Sequence, residues 1–125
     1  AFARSTVARG RLRAVDTGAA AAAPGVVAVY TGASLHEAGV HPLPPAHSFP
    51  KPGGGPIDSP PRHALATGTV GFAGEAVAAV VATSRAAARA AADLVHADIE
   101  PLPAVFGVRE AVAAGAPALW PGAPG

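Results

Sequence analysis

Two carboxylates are the strongest candidates for catalysis: Glu75, in the pattern Gly71-x-x-Gly74-Glu75, and Asp98, in a later alternating segment. Either could act as a general base or support hydrolysis if a reacting group lay within hydrogen-bonding distance. A glutamate beside a glycine turn more often accepts backbone hydrogen bonds or faces solvent. We therefore expect Glu75 to have a structural or domain-contact role, and we predict no catalytic residue in this chain.

Histidine is the side chain on which a zinc site would depend, because the chain has no cysteine. The five histidines are His36, His41, His47, His63 and His96. Zinc requires several ligands in a close, ordered arrangement, and no two of these histidines have the i, i+4 spacing of helical ligands. We therefore predict solvated histidines and no metal site. The lack of cysteine also excludes disulfides, iron–sulfur ligation and a cysteine nucleophile within these 125 residues.

Phosphate and nucleic-acid binding are also disfavoured by the residues present. The glycine triplet at 53–55 lacks the preceding strand, the following helix and the Lys-Ser/Thr pair of a phosphate loop. Arg9, Arg11 and Arg13, here called the arginine stripe, have no aromatic residues between them, and the net charge is only +1. The arginine stripe therefore predicts a solvated strand face. We expect no cofactor-binding residue and no nucleic-acid partner.

Hydrophobic patterns predict the main strands. Residues 26–31 and 76–82 are apolar almost throughout, which is typical of strands buried on both faces. Residues 9–15 and 96–100 alternate between polar and apolar side chains, which is typical of strands exposed on one face. A shorter strand is predicted at residues 70–72.

Alanine-rich segments predict the helices. Asp16 precedes an alanine-rich turn at 17–23, and Ser84 precedes a longer alanine-rich segment at 85–95; both residue types are good N-caps. On the longer helix, an apolar stripe at helical spacing is formed by Ala87, Ala91, Leu94 and Val95. Shorter helical segments are predicted at 33–38 and 106–114.

The order of these elements predicts an α+β fold built from two strand–helix–strand units, 9–31 and 77–100. Each unit combines an apolar strand with an alternating one, so we expect one mixed sheet with the helices packed against it. If the two alternating strands share an exposed face, the arginine stripe will lie near Asp98 and Glu100.

A loop at residues 41–62 separates the two units. It contains eight prolines and the glycine triplet, so neither a helix nor a sheet can continue through it. Loops of this length in compact domains are usually functional, interfacial or disordered. We regard this Pro-rich loop as a candidate contact for a partner protein.

The composition is that of one globular domain with no membrane segment. Half of the 125 residues are hydrophobic, enough for a core built mostly from alanine and valine, although glycine (15) and proline (14) are frequent. No run of 18 apolar residues without charge occurs, and the N-terminus has no apolar signal segment. We expect a cytoplasmic protein in which residues 1–120 form the domain and 121–125 begin a linker.

Blocks of sequence in both halves resemble a known domain. Residues 74–82, GEAVAAVVA, and 98–105, DIEPLPAV, flank the predicted alanine-rich helix, and in the first half 11–17, RLRAVDT, precede 24–29, PGVVAV. In order and spacing these blocks resemble the α/β hammerhead domain of the xanthine dehydrogenase and aldehyde oxidase family. The resemblance extends over about residues 2–121. In bacterial members of this family, the domain begins the large, molybdenum-binding subunit.

The resemblance implies an oxidoreductase that hydroxylates a carbon centre or oxidises an aldehyde or carbon monoxide. In the family, water supplies the oxygen atom, and electrons leave through molybdopterin, which we expect in its cytosine dinucleotide form. Iron–sulfur clusters and FAD are expected on partner subunits or domains. The family's pterin-binding segments, the glutamine near molybdenum and the glutamate base lie downstream. The resemblance therefore implies no catalytic, cofactor-binding or metal-ligating residue within 1–125.

The resemblance also implies an architectural role for the domain, which we expect to be inactive alone. Its expected partners are the downstream molybdopterin-binding domains of the same chain, together with iron–sulfur and flavin subunits. Residues 121–125 would then begin the linker to a molybdopterin-binding domain. Two alternatives remain open: a stand-alone interaction module whose Pro-rich loop recruits a partner in an extended polyproline conformation, and a small hydrolase that uses Glu75 or Asp98.

Overall fold

The computed structural model describes residues 1–47, 49–57 and 59–120; the predicted linker at 121–125 lies outside these ranges. The strands are β1 (Phe2–Arg4), β2 (Gly10–Asp16), β3 (Val26–Thr31), β4 (Thr69–Val70), β5 (Ala76–Ala82) and β6 (His96–Pro101). The helices are α1 (Gly18–Ala21), α2 (Gly32–Glu37), α3 (Arg85–Ala92) and α4 (Val108–Ala111). Within the described ranges, none of these helices has the length and hydropathy needed to cross a bilayer.

The strands form two three-stranded antiparallel sheets, ordered β1-β5-β3 and β4-β2-β6. In the first sheet β3 pairs with β5, and in the second sheet β2 pairs with β6. The two strands of each strand–helix–strand unit therefore lie in different sheets, and each pairs with a strand of the other unit. The predicted α+β class and its two strand–helix–strand units are confirmed.

The prediction of a single mixed sheet is wrong. The chain passes through α1 between β2 and β3, and through α3 between β5 and β6, and each of these helices leads from one sheet to the other. A strand–helix–strand connection produces parallel pairing only where its strands return to the same sheet. Here they do not, so the pairings among the described strands are all antiparallel.

One hydrophobic cluster joins the two sheets. Val77 of the first sheet and Val70 of the second are buried together with Ala66. Leu12 and Ile99, both in the second sheet, pack against these three residues. Because every member is a small or medium aliphatic side chain, the two sheets can approach each other closely.

A second hydrophobic cluster joins the first sheet to α3. Val80 of β5 is buried with Ala91 and Ala92 of α3, and Val26 and Val29 of β3 pack against them. The short alanine side chains let the helix lie close to the sheet. The core is therefore built mostly from alanine and valine, as the composition predicts.

Helix α3 begins where the sequence predicts and ends earlier. The Ser84 Oγ accepts the backbone N–H of Ala87 at 3.1 Å, which confirms its role as the N-cap. The helix ends at Ala92 because the next backbone N–H groups, those of Leu94 and Val95, donate to carbonyls three residues earlier and tighten the last turn. The buried face consists of Ala88, Ala91 and Ala92. Leu94, predicted to belong to the apolar stripe, is instead 48% exposed.

Other local features also differ from the predictions. Asp16 is predicted to cap α1, but Thr17 occupies the N-cap position, and Asp16 Oδ1 accepts the N–H of Gly18 at 2.9 Å. The strand predicted at 70–72 is shorter and begins one residue earlier, as β4, and a turn at Ala73–Gly74 follows it. Strand β1 is missing from the prediction, since three residues are too few to display a period of two.

The Pro-rich loop contains neither helix nor strand among its described residues. Two isolated antiparallel bridges, Leu43 to Arg62 and Pro50 to Pro56, fold it back on itself. At its base, Leu43 donates its backbone N–H to the carbonyl of Arg62 at 2.8 Å. All the described loop residues are exposed, so the loop projects from the domain without contributing to either hydrophobic cluster.

Val77→Ala should destabilise the domain by about 2 kcal/mol, because it leaves a void between the sheets where Val77 is only 1% exposed. The matched control is Val27→Ala, at a side chain that is 67% exposed on the edge strand β3. This control should change the free energy of unfolding by less than about 0.5 kcal/mol. Urea unfolding followed by circular dichroism measures both variants, and equal losses would contradict the placement of Val77 in the core.

Candidate functional site

Glu75 lies in the turn that leads into β5 and fixes the shape of that turn. Its Oε2 accepts the backbone N–H of Gly71 at 2.6 Å. Gly74, with a φ of 92°, provides the left-handed backbone that the turn requires. The carbonyl of Glu75 also accepts the N–H of Ser5 at 2.8 Å, which ties the turn to the residue that follows β1. Glu75 therefore has the structural role that the sequence favours.

Asp98 lies exposed on β6, opposite Ala14 of β2. Within the described ranges, the side chain of Asp98 has no hydrogen bond or ion pair. The structure places Asp98 in the second sheet and Glu75 at the start of a strand of the first. Among the described residues, no hydroxyl or imidazole is hydrogen-bonded to either carboxylate, so the hydrolase alternative gains no support.

The five histidines are all exposed. His36 and His63 line one cavity of about 400 Å³ together with Arg13 and Thr67. Across the described part of the chain, no three His, Cys, Asp or Glu side chains are grouped closely enough to hold a metal ion. That the chain contributes no metal ligand stays a prediction.

Arg13 and Arg11 of β2 share one carboxylate on β6. Arg13 Nη2 lies 2.7 Å from Glu100 Oε2, and Arg11 Nε lies 3.9 Å from the same oxygen. The predicted proximity is confirmed for Glu100, whereas a register shift in β2 places Asp98 opposite Ala14. Both arginines are more than half exposed, so each pair contributes less than about 1 kcal/mol. The shared carboxylate also weakens any attraction of this face for nucleic acid.

A groove of about 860 Å³ lies between the turn after β4 and the end of the described chain. We call it the C-terminal groove; it is lined by residues 8–9, 71–73, 104–108 and 111–120. Five of its large apolar side chains are exposed and are here called the apolar rim: Phe72, Phe106, Val108, Val112 and Leu119. No local sequence pattern reveals this groove, because its lining residues come from distant parts of the chain, near residues 8–9, 71–73 and 104–120.

Arg9 holds the C-terminal segment onto the domain. Its Nη1 donates to the carbonyl of Pro103 at 2.8 Å, and its Nη2 donates to the carbonyl of Ala118. The Arg9 carbonyl accepts the N–H of Leu102 at 2.9 Å. Arg9 is half-buried, so the prediction of a solvated side chain is wrong for this member of the arginine stripe. The planar guanidinium can bridge two carbonyls. The sequence does not reveal this contact, because both acceptors are backbone atoms.

Comparison with known proteins places this architecture in a family. Residues 1–103 match the family described as "Aldehyde oxidase and xanthine dehydrogenase, a/b hammerhead domain". The chain belongs to this family. The resemblance drawn from the blocks in the two halves is therefore confirmed, and with it the hammerhead fold.

Curated relatives match nearly the whole of this chain. The carbon monoxide dehydrogenase large chain of Afipia carboxidovorans is 36% identical over 118 residues, which are 94% of this chain and 13% of that protein. The nicotine 6-hydroxylase large subunit of Paenarthrobacter nicotinovorans is 35% identical over 116 residues, which are 91% of this chain and 13% of that protein. The chain therefore spans only a small part of the length of these relatives.

Solved structures share the fold over the same extent. The aldehyde oxidoreductase from Desulfovibrio desulfuricans has a TM-score of 0.82 at 33% identity, covering 99% of this chain and 13% of that one. A Cu,Mo-CO dehydrogenase has a TM-score of 0.74 at 36% identity, covering 94% of this chain and 13% of that one. The two antiparallel sheets and the linking helices are thus the arrangement found in these oxidoreductases.

That this chain binds neither molybdopterin nor an iron–sulfur cluster stays a prediction. The chain has no cysteine to ligate a cluster. Among the described residues, no buried side-chain nitrogen or oxygen lacks a hydrogen-bond partner. A pterin site needs polar groups that converge on a cavity, whereas the C-terminal groove presents apolar side chains.

Glu75→Ala should lower the free energy of unfolding by about 1 kcal/mol, because the Gly71 N–H loses its acceptor. Glu75→Gln keeps an acceptor oxygen and should lose less. Hydrogen exchange of the Gly71 amide, measured by NMR, should be fastest in the alanine variant. Asp98→Ala is the matched control, since it removes a carboxylate that has no partner in the described structure. Wild-type exchange at Gly71 in all three variants would disprove the structural role of Glu75.

Proposed function

We propose that this chain is the non-catalytic hammerhead domain of the large subunit of a cytoplasmic, molybdopterin-dependent oxidoreductase. The observation that carries the proposal is the extent of the match. A dehydrogenase large chain and a hydroxylase large subunit each match more than nine-tenths of this chain, yet with only 13% of their own length. In this proposal, residues 1–120 form the domain, residues 121–125 begin a linker, and the catalytic residues belong to the remainder of the polypeptide.

The contacts of the polar side chains support an architectural role. Glu75 accepts a backbone N–H in a turn, Arg13 pairs with Glu100 across two strands, and Arg9 donates to two carbonyls. Side chains engaged in this way hold the backbone and are not available to bind a substrate. The isolated domain is accordingly inactive in our proposal.

The parent enzyme, in this proposal, contains molybdopterin in the cytosine dinucleotide form. The reaction class is the oxidation of a carbon centre, an aldehyde or carbon monoxide, with oxygen supplied by water. Because residues 1–125 contain no cysteine, the iron–sulfur clusters must be held elsewhere, on partner subunits or domains together with FAD. The domain's own contribution is to pack against the molybdopterin-binding domains and to contact these subunits.

The Pro-rich loop is the part of the domain that we assign to a subunit contact. It projects from the fold, is exposed at all its described positions and is held at its base by the Leu43–Arg62 bridge. A proline-rich segment loses little conformational entropy on binding, because its backbone is already restricted. The exposure of the loop is equally expected for the second candidate function, a stand-alone interaction module. Such a protein would have no molybdopterin-binding domains, unlike the enzyme subunit proposed above.

The complete polypeptide should contain about one molybdenum atom and one pterin per chain, whereas residues 1–120 expressed alone should contain neither. Plasma mass spectrometry measures the metal, and fluorescence of the oxidised pterin measures the cofactor. The expectation follows from the comparisons, in which this chain corresponds to only 13% of the length of each large subunit, so that in our proposal the pterin site lies in the remainder. A complete polypeptide without molybdenum and pterin would contradict the enzyme assignment and favour the interaction module.

Replacing residues 46–59 with a short Gly-Ser linker should release the iron–sulfur or flavin subunit from the large chain without unfolding the domain. The fold should persist because the described loop residues lie outside both hydrophobic clusters. Co-purification of the subunits through a tag on the large chain measures the contact. A loop of equal length with its prolines changed to serine is the matched control for loop length. Unchanged co-purification of the shortened variant would show that the loop makes no essential subunit contact.

A further inference from the structure

The apolar rim of the C-terminal groove is exposed to an extent unusual for a solvated surface. Phe106 is 84% exposed, Val108 83% and Val112 79%, and α4, on which these residues are centred, has no buried residue. Phe72, 60% exposed, lines the same groove from the turn after β4. A patch of large exposed apolar side chains marks a surface that binds a protein, a membrane or an apolar ligand.

The groove offers few charged side chains with which to bind a charged partner. Arg9 is the one charged side chain among its described lining residues. Both terminal nitrogens of Arg9 already donate, to the carbonyls of Pro103 and Ala118. The surface that covers the apolar rim should itself be apolar, because a polar group placed against these side chains would lose its hydrogen bonds to water.

We propose that the apolar rim is the surface on which the domain that follows in the same polypeptide docks. The inference rests on the proposed function, which supplies such a domain, and it identifies the contact surface. Arg9 closes residues 103–118 into a loop that carries α4, so the apolar rim is held in place before docking occurs.

The family comparison favours the same polypeptide over other partners. The match to the hammerhead family ends at residue 103, and most of the apolar rim lies beyond it. The match to the carbon monoxide dehydrogenase large chain covers 118 residues, so it must extend into this segment. More than four-fifths of that large chain lies outside the match, which leaves ample chain to cover the rim.

The position of the chain within the groove also favours an intramolecular contact. Leu119 and Trp120 themselves line the groove. A domain joined to them by a short linker would be present at a high effective concentration next to the rim, so docking would cost little translational entropy. A second copy or a separate subunit would have to pay that cost in full.

Cysteine labelling in the complete polypeptide tests this docking, because residues 1–125 contain no cysteine of their own. Phe106→Cys and Val112→Cys are each alkylated, and the modified peptide is quantified by mass spectrometry. Both should react at least about tenfold more slowly in the native protein than in urea. Ala90→Cys, at an exposed position of α3, is the matched control and should react within about twofold of its unfolded rate.

The conditions under which protection occurs identify what covers the rim. Protection that persists in the large chain alone, at every dilution, supports docking of the downstream domain. Protection that disappears on dilution would indicate a second copy, and protection that requires other subunits would indicate one of those subunits. Either result overturns the proposal, as does labelling of Phe106→Cys as fast as that of Ala90→Cys.

Failure of this inference can be distinguished from failure of the proposed function. A polypeptide that contains molybdenum and pterin but leaves Phe106→Cys and Val112→Cys unprotected would overturn the docking surface alone. A polypeptide that contains neither molybdenum nor pterin would overturn the proposed function, and the docking proposal with it.

Discussion

The exchange of strands between the two strand–helix–strand units is the constraint on which the rest of the structure depends. Because β2 pairs with β6 and β3 with β5, neither unit can complete a sheet by itself. The linking helices must therefore cross between the sheets. A separate close approach occurs at Gly32, the first residue of α2, where a Cβ atom would clash with the carbonyl oxygen of Ala66 in the segment that precedes β4. Glycine is the residue that allows this approach without a shift of the backbone.

The same compactness determines what the hammerhead domain can offer to an enzyme. Its crossings and turns are held by polar side chains, such as Glu75 on a backbone N–H and Arg9 on two carbonyls. Two of its exposed surfaces are apolar or proline-rich, the C-terminal groove and the Pro-rich loop. Such surfaces are suited to contacts between domains and subunits, which is how a small domain can serve a much larger catalytic chain.

Local signals in the sequence predicted most of the elements, whereas contacts between distant segments were harder to predict. Strands β3 and β5 have the predicted bounds, because each is an apolar run that side-chain type alone reveals. Ser84 was identifiable because a cap and its helix are adjacent. The division of the strands into two sheets was not predictable, since an apolar run does not indicate which sheet a strand enters. The contact of Glu100 with the arginines was predictable, because both strands alternate between polar and apolar residues. The hydrogen bond from Arg9 to the carbonyl of Ala118 was not predictable, because its acceptor is a backbone atom that any residue type provides.

The strand register also determines when this domain can fold during synthesis. Phe2 pairs with Ala79, and Gly10 pairs with Pro101, so the first strands of the domain must wait for the last ones. Contacts so distant in sequence carry a large loop-closure entropy and slow the folding reaction. On the ribosome, the apolar β3 therefore emerges long before its partner β5. During that interval the nascent chain exposes an unpaired, uncharged strand, which is the kind of segment that aggregates most readily.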